Sequence, residues 1–137
     1  MKNLFVSLFL TIASFSYGQN FKHLEELQAD SLYENVCVKK IDSDSLVSNF
    51  VIWIKKDVKA HKHLVHSETI IVLDGTGTMM LGDKKIEIKK GDYIFVPRNT
   101  VHSVLVTSKD PLKVISIQAP EFKGDDRIFV ESNSSGY

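Results

Sequence analysis

His61-Lys62-His63-Leu64-Val65-His66-Ser67-Glu68 places two histidines two residues apart and a glutamate five residues after the second, and His102 follows 34 residues after that glutamate. Along a β-strand side chains alternate between faces, so His61 and His63 are expected to point the same way, roughly 7 Å apart at Cα. Both can then reach one ion. Three imidazoles and one carboxylate at this spacing define a candidate metal site; a lone His-x-His would be an ordinary polar pair near a strand edge.

Outward from this stretch the chain reads as short β runs, at residues 34–41, 48–55, 61–65, 68–73, 77–81, 84–88, 93–96, 102–106, 112–119 and 127–130. Lys84-Lys85-Ile86-Glu87-Ile88-Lys89-Lys90 alternates strictly, so Ile86 and Ile88 face a core while the charges face water. Asp74-Gly75, Gly82-Asp83 and Gly91-Asp92 supply turns between runs. Many short antiparallel strands must hide their edges, which leaves a sandwich, a jelly roll or a barrel. Before them, residues 20–32 carry Phe21, Leu24, Leu27 and Leu32 at helical spacing behind an Asn20 cap, which predicts one short N-terminal helix.

With 137 residues and 43% hydrophobic content the chain suits a single-core domain. Lysine plus arginine equals aspartate plus glutamate at 17 each, and the cations are scattered, so nothing points to nucleic acid or an anionic membrane. Residues 1–18 read as a signal peptide: a basic start at Met1-Lys2-Asn3, an apolar run from Leu4 to Ile12, and small Ser16 and Gly18 where a signal peptidase reads, with cleavage before Gln19. That run is short of the ~20 apolar residues a spanning helix needs. The mature chain is therefore expected to be periplasmic or secreted and free of the membrane. It divides into a helical segment at 19–33, a β domain at 34–131 and a flexible tail at 132–137. The single cysteine, Cys37, cannot form an intrachain disulfide and lies in an apolar alternation that suits a buried side chain.

His61-x-His63, four residues, Glu68, six residues and Gly75 resembles the first motif of the cupin superfamily. Gly91, five residues, Pro97-x-Asn99, two residues and His102 resembles most of the second, and the fifteen-residue interval between Gly75 and Gly91 is similar to that of small single-domain bacterial cupins. The chain departs from the pattern at Lys55 and Asn99, where glycines are usual, and at Val106, where asparagine is usual. Asparagine tolerates the left-handed conformation, so the turn at Asn99 can survive the change.

The resemblance implies a double-stranded β-helix, the cupin or jelly-roll barrel, with the site inside the barrel mouth. It implies that His61, His63, Glu68 and His102 coordinate one divalent metal, and this donor set suits Fe, Mn, Ni, Co, Cu or Zn rather than Ca or Mg. The expected partner is a small molecule, and small cupins also form homodimers through edge strands. Two functions stand side by side. One is a metal-dependent enzyme of dioxygenase, isomerase or lyase type, with Glu68 able to move a proton. The other is a non-catalytic module that binds a sugar or an organic acid.

His66 is a further candidate as proton carrier or substrate contact, although a solvent-facing loop histidine is the commoner case. His23 carries less weight. Phe50, Trp53, Tyr93 and Phe95 could line a cavity but are expected mainly in the core, and the only two arginines, Arg98 and Arg127, could bind a carboxylate substrate but are expected on the surface.

Overall fold

The computed structural model describes residues 21–130. The expected signal segment and the expected tail lie outside the described residues. Within them the chain forms ten strands: β1 (Val36–Ser43), β2 (Ser48–Ile54), β3 (Asp57–Lys62), β4 (Ser67–Asp74), β5 (Thr76–Leu81), β6 (Lys84–Lys89), β7 (Tyr93–Val96), β8 (His102–Val106), β9 (Leu112–Ala119) and β10 (Ile128–Phe129). They build two five-stranded sheets, ordered β1-β2-β9-β4-β7 and β10-β3-β8-β5-β6, in which every pairing is antiparallel.

Alternation along each strand decides which side chains meet between the sheets. On the first sheet Phe50, Ile52 and Ile54 of β2, Leu112 and Val114 of β9, Val72 of β4 and Val96 of β7 turn inward; on the second, Met79 and Ile88 meet them. The first sheet also covers its outer face, where Val51, Trp53, Ile115 and Cys37 form a second cluster. The strand β2 is therefore apolar on both faces, as its continuous burial reflects. Cys37 is buried there, as its apolar setting predicts.

The cover over that outer face is the N-terminal segment, and here the expected helix over 20–32 is not found among the described residues. Leu24 to Glu26 makes one turn, closed by the Glu26 N–H donating to the His23 carbonyl at 3.1 Å. Leu24, Leu27 and Ala29 pack on the Trp53 cluster instead. The Lys113 ammonium donates to the carbonyls of Leu24 (2.7 Å) and Leu27 (2.8 Å), groups a helix would have spent on its own amides. Spacing of apolar residues by three serves a strap on a sheet as well as it serves a helix.

The third strand also differs from its expected span: it starts at Asp57 and ends at Lys62, so His63 follows the strand. Pairing with β8 determines this, with Asp57 opposite Leu105, Val58 opposite Val104, a bulge, and then His61 opposite His102. Of the four aromatics expected in the core, Phe50 and Trp53 are buried, whereas Tyr93 and Phe95 stand on the exposed side of β7.

Two turns carry the interval between the histidine-bearing strands. Gly75 has φ 81° and lies so close to β9 that an added Cβ would sit 2.9 Å from Leu112 Cα and 3.1 Å from the Pro111 carbonyl oxygen. Asn99 takes φ 61° in the turn before β8, the left-handed conformation that asparagine tolerates. Gly82, at φ 56°, has open space around it. Gly82→Ala should therefore cost only the left-handed backbone penalty, about 1–2 kcal/mol. Gly75→Ala should cost distinctly more, because backbone as well as φ must yield; urea denaturation of both variants measures the difference.

Candidate metal centre

The register of β3 against β8 sets His61 directly opposite His102, and their rings lie 4.2 Å apart between centroids. His63, one residue past β3, brings its ring within 5.0 Å of His61 and 5.3 Å of His102. Glu68 enters from the other sheet, on β4 opposite Gln118 of β9. The four residues meet between the sheets, and each is at least nine-tenths buried.

Each imidazole is oriented by the backbone. Nδ1 of His61 donates to the Lys59 carbonyl at 2.8 Å, Nδ1 of His102 to the Thr100 carbonyl at 3.1 Å, and Nδ1 of His63 to the Asp126 carbonyl. A carbonyl only accepts, so in all three rings the proton sits on Nδ1 and Nε2 is directed inward. The three histidines present ligand atoms within 4.8 Å of one another. Glu68 Oε2 lies 3.2 Å from His102 Nε2 and 3.6 Å from His63 Nε2. Its other oxygen accepts the Ser116 hydroxyl and, at 3.5 Å, the Gln118 amide, which also donates to Ser116 Oγ at 3.0 Å.

The electrostatics follow from this geometry. Burial pushes the Glu68 carboxyl up, but His102, His63 and Ser116 outweigh burial and hold it well below the usual carboxylate range. His61 is pushed down to about 4, by burial first and then by the neighbouring His102, with the charge of Arg127 adding to the effect. For His63 burial again disfavours charge, but Glu68 and the Asp126 carbonyl prevail and raise it.

His66, expected as a solvent-facing loop histidine, is instead buried at 1% exposure. Its ring stacks 4.1 Å from His63 and meets Phe122 at 5.4 Å, and its Nδ1 lies 2.9 Å from Asp126 Oδ2. Burial and His63 lower its pKa.

Asp126 is the residue that motif reasoning does not reach. Its carboxylate accepts the amides of Leu64 (2.8 Å), Val65 (2.8 Å) and His66 (3.1 Å), while its own carbonyl accepts from His63. One residue more than fifty positions away thus closes the loop that carries the histidines. Burial alone would raise its carboxyl, but the three amides and His66 hold it low. The sequence carries only one trace of it, the acidic pair Asp125-Asp126 beside Arg127.

The site opens onto a cavity of about 110 Å³ between the sheets. His61, Glu68 and His102 line it together with apolar side chains that include Ile52, Ile54, Met79 and Leu112. Arg127, expected on the surface, is exposed and also lines this cavity; Arg98 is exposed and does not.

A two-sheet antiparallel barrel with imidazoles and a carboxylate gathered between its sheets defines a class of small β-barrel. The chain belongs to the cupin family, whose cupin domain model matches residues 50–118. It is similar to an uncharacterized protein of Aquifex aeolicus (strain VF5), 31% identical over 115 residues that cover 82% of this chain and 94% of that one. It is 42% identical over 48 residues to the quercetin 2,3-dioxygenase of Bacillus subtilis (strain 168), covering 35% of this chain and 14% of the dioxygenase. Among solved structures, the polyketide cyclase RemF of Streptomyces resistomycificus superposes with a TM-score of 0.66 at 16% identity, covering 85% of this chain and 89% of that one. At that identity the likeness is one of fold.

Asp126→Asn tests the grip on the histidine loop. One carboxylate oxygen becomes an amino group facing N–H donors, so the variant should lose about 1–3 kcal/mol in urea denaturation, and the Leu64, Val65 and His66 amides should exchange faster by NMR. The folded pKa of Asp126 is lowered, so its contribution is present above the ordinary aspartate value of roughly 3.9 and disappears as pH falls through the folded value. Wild type and variant should therefore converge in stability in acid.

Proposed function

We propose that His61, His63, Glu68 and His102 hold one divalent transition metal, of the group Fe, Mn, Ni, Co, Cu or Zn, and that the protein acts there on a small molecule. The observation that carries this reading is the contact between His102 Nε2 and Glu68 Oε2 at 3.2 Å. With Nδ1 already donating to Thr100, the ring presents Nε2 as a second acceptor toward a carboxylate. Two acceptors tolerate that distance only with a positive centre between them, either a proton or a metal cation. His63 Nε2 supports the cation, since it is buried, aimed at the same place and without a hydrogen-bond partner among the described residues. Such an atom costs about 1–3 kcal/mol unless something fills its lone pair.

The backbone carbonyls behind each imidazole fix the tautomer that a ligating histidine needs. Ser116 and Gln118 hold Glu68 Oε1, which leaves Oε2 to face the histidines. When bound, a divalent ion supplies Lewis acidity, or oxygen chemistry if it is redox-active. The chain's own residues supply orientation and a largely apolar wall, and Glu68 would be the group able to exchange a proton with a molecule bound there. The stretch shared with the dioxygenase supports an enzymatic rather than a purely binding role, of dioxygenase, isomerase or lyase type. A non-catalytic binding module is the alternative, favoured by how few additional acids or bases the cavity wall carries.

Export belongs to the same proposal and rests on the pattern of residues 1–18. So does a homodimer, supported by Tyr93 and Phe95, exposed side by side on the edge strand β7.

Metal stoichiometry tests the reading. Wild-type protein purified with supplemented metal should carry close to one ion by elemental analysis, His63→Ala and His102→Ala far less, and His23→Ala an unchanged amount. Equal metal in all four would overturn it. Imidazoles must be neutral to ligate, so occupancy should fall between about pH 7.5 and about pH 4.5, across the free-imidazole value of roughly 6.5. Of His61 and His63, His63, whose pKa is raised, takes its proton before His61, whose pKa is lowered. Turnover is tested by following small carbonyl compounds, sugars and organic acids by NMR with the metal-loaded protein, with and without dioxygen.

A further inference from the structure

Among the described residues Arg127 is the one cationic side chain on the cavity wall, and Glu68 the one carboxylate. The register that pairs Ile128 with Lys62 and Phe129 with His61 sends Arg127 and Phe129 to the His61 side of the strand. Phe129 duly lies 6.1 Å from the His61 ring. The charge of Arg127 is felt at both His61 and His63. Among the described residues its guanidinium makes no ion pair and no side-chain hydrogen bond. A cation that flanks a cavity instead of pairing with the neighbouring Asp125 is available to a ligand.

We propose that Arg127 makes this cavity selective for a small carboxylate with an apolar remainder, its anionic end between the guanidinium and the His61–Glu68–His102 cluster and its body against Ile52, Ile54, Val58 and Leu112. The inference deepens the metal reading and rests on it for part of its charge argument. Glu68 would offset one of the two charges of a divalent ion and the exposed Arg127 adds another at the cavity wall, so the loaded site keeps a net positive charge. An anion neutralises it better than any neutral ligand. The planar fork of a guanidinium matches a carboxylate in two parallel hydrogen bonds.

Size and wall chemistry narrow the class further. A cavity of about 110 Å³ admits a molecule of a few carbons and falls below the roughly 300 Å³ at which pockets for larger ligands begin. Apart from His61, Glu68, His102, Ser103 and Arg127 the wall is apolar, too few partners for a row of hydroxyls, so a sugar would leave most of its polar groups unpaired. A phosphate would meet the charge but brings no apolar body, and its remaining oxygens would face a mostly apolar wall unpaired.

The test titrates isobutyrate and its neutral isostere isobutyramide into full-length, metal-loaded wild type, Arg127→Gln and Arg127→Lys, with binding followed by ligand-observed NMR. Wild type should prefer the carboxylate by about tenfold or more. Arg127→Gln should lose that preference while keeping its metal, and Arg127→Lys should retain part of it. Equal binding of acid and amide by wild type, or an undiminished preference in Arg127→Gln, overturns the proposal, as does displacement of isobutyrate by equimolar inorganic phosphate. Elemental analysis of each sample separates the two readings. Wild type without metal refutes the metal site, and the same titration on that metal-free protein then decides whether Arg127 alone confers the preference; wild type with metal but indifferent to charge refutes only the anion subsite.

Discussion

A carboxylate held 6% exposed between two apolar sheets is the constraint around which the mouth of this barrel is arranged. Glu68 loses its hydration there, and an uncompensated charge in such surroundings is costly enough to unfold a small domain. The first sheet supplies part of the compensation from within, because the β4–β9 ladder sets Gln118 opposite Glu68 and Ser116 one inward position along. The second sheet supplies the rest through His102 and, beyond it, His63. Glu68 is thus stable only when the two sheets are closed on each other, and closure is worth having only because the aliphatic layer below the site provides the hydrophobic gain.

The same dependence explains why the histidines are locked from behind. An imidazole that could turn over would present a donor where the cluster needs an acceptor, or the reverse. Lys59 and Thr100 prevent this with carbonyls two residues from the histidine concerned, a local solution written into the strand ends. His63 lies past the end of β3, where no ladder fixes the backbone, and its lock comes from Asp126 on a different part of the chain. That residue also gathers three consecutive loop amides on its carboxylate, doing for the loop what a ladder would have done for a strand.

These two kinds of lock mark how far the sequence alone could be read. Nine of the strands lie within a few residues of the alternating runs, because alternation with turn residues between is a local signal. The exception is β3, where Asp57, Lys59 and Lys62 disguise a strand that β8 recruits by pairing. The grouping of His61, His63, Glu68 and His102 follows from spacing and a family resemblance, since each sits at a fixed offset from a turn. Ser116, Gln118, Asp126 and the place of Arg127 on the cavity wall were not legible, because each depends on a register or a tertiary contact set elsewhere in the chain. The burial of His66 is a consequence of Asp126 and was hidden with it. The apolar residues near the N-terminus were visible, but their spacing does not say whether they coat a helix or lie along a sheet.

Asp126 and Arg127 are neighbours in sequence with opposite assignments. The backbone carries the carboxylate of one to the histidine loop and the guanidinium of the next to the cavity wall. The short segment that positions His63 is therefore also the segment that borders the cavity. It is fastened by the two ladder residues of β10, by Asp126 itself, and by Phe122 seated 6.2 Å from Phe50. A ligand that engaged Arg127 would add a further tie to this segment and so steady Asp126 and His63 behind it. The order of the donor set and the occupancy of the cavity are then linked through one stretch of chain, and each would strengthen the other by the same free energy.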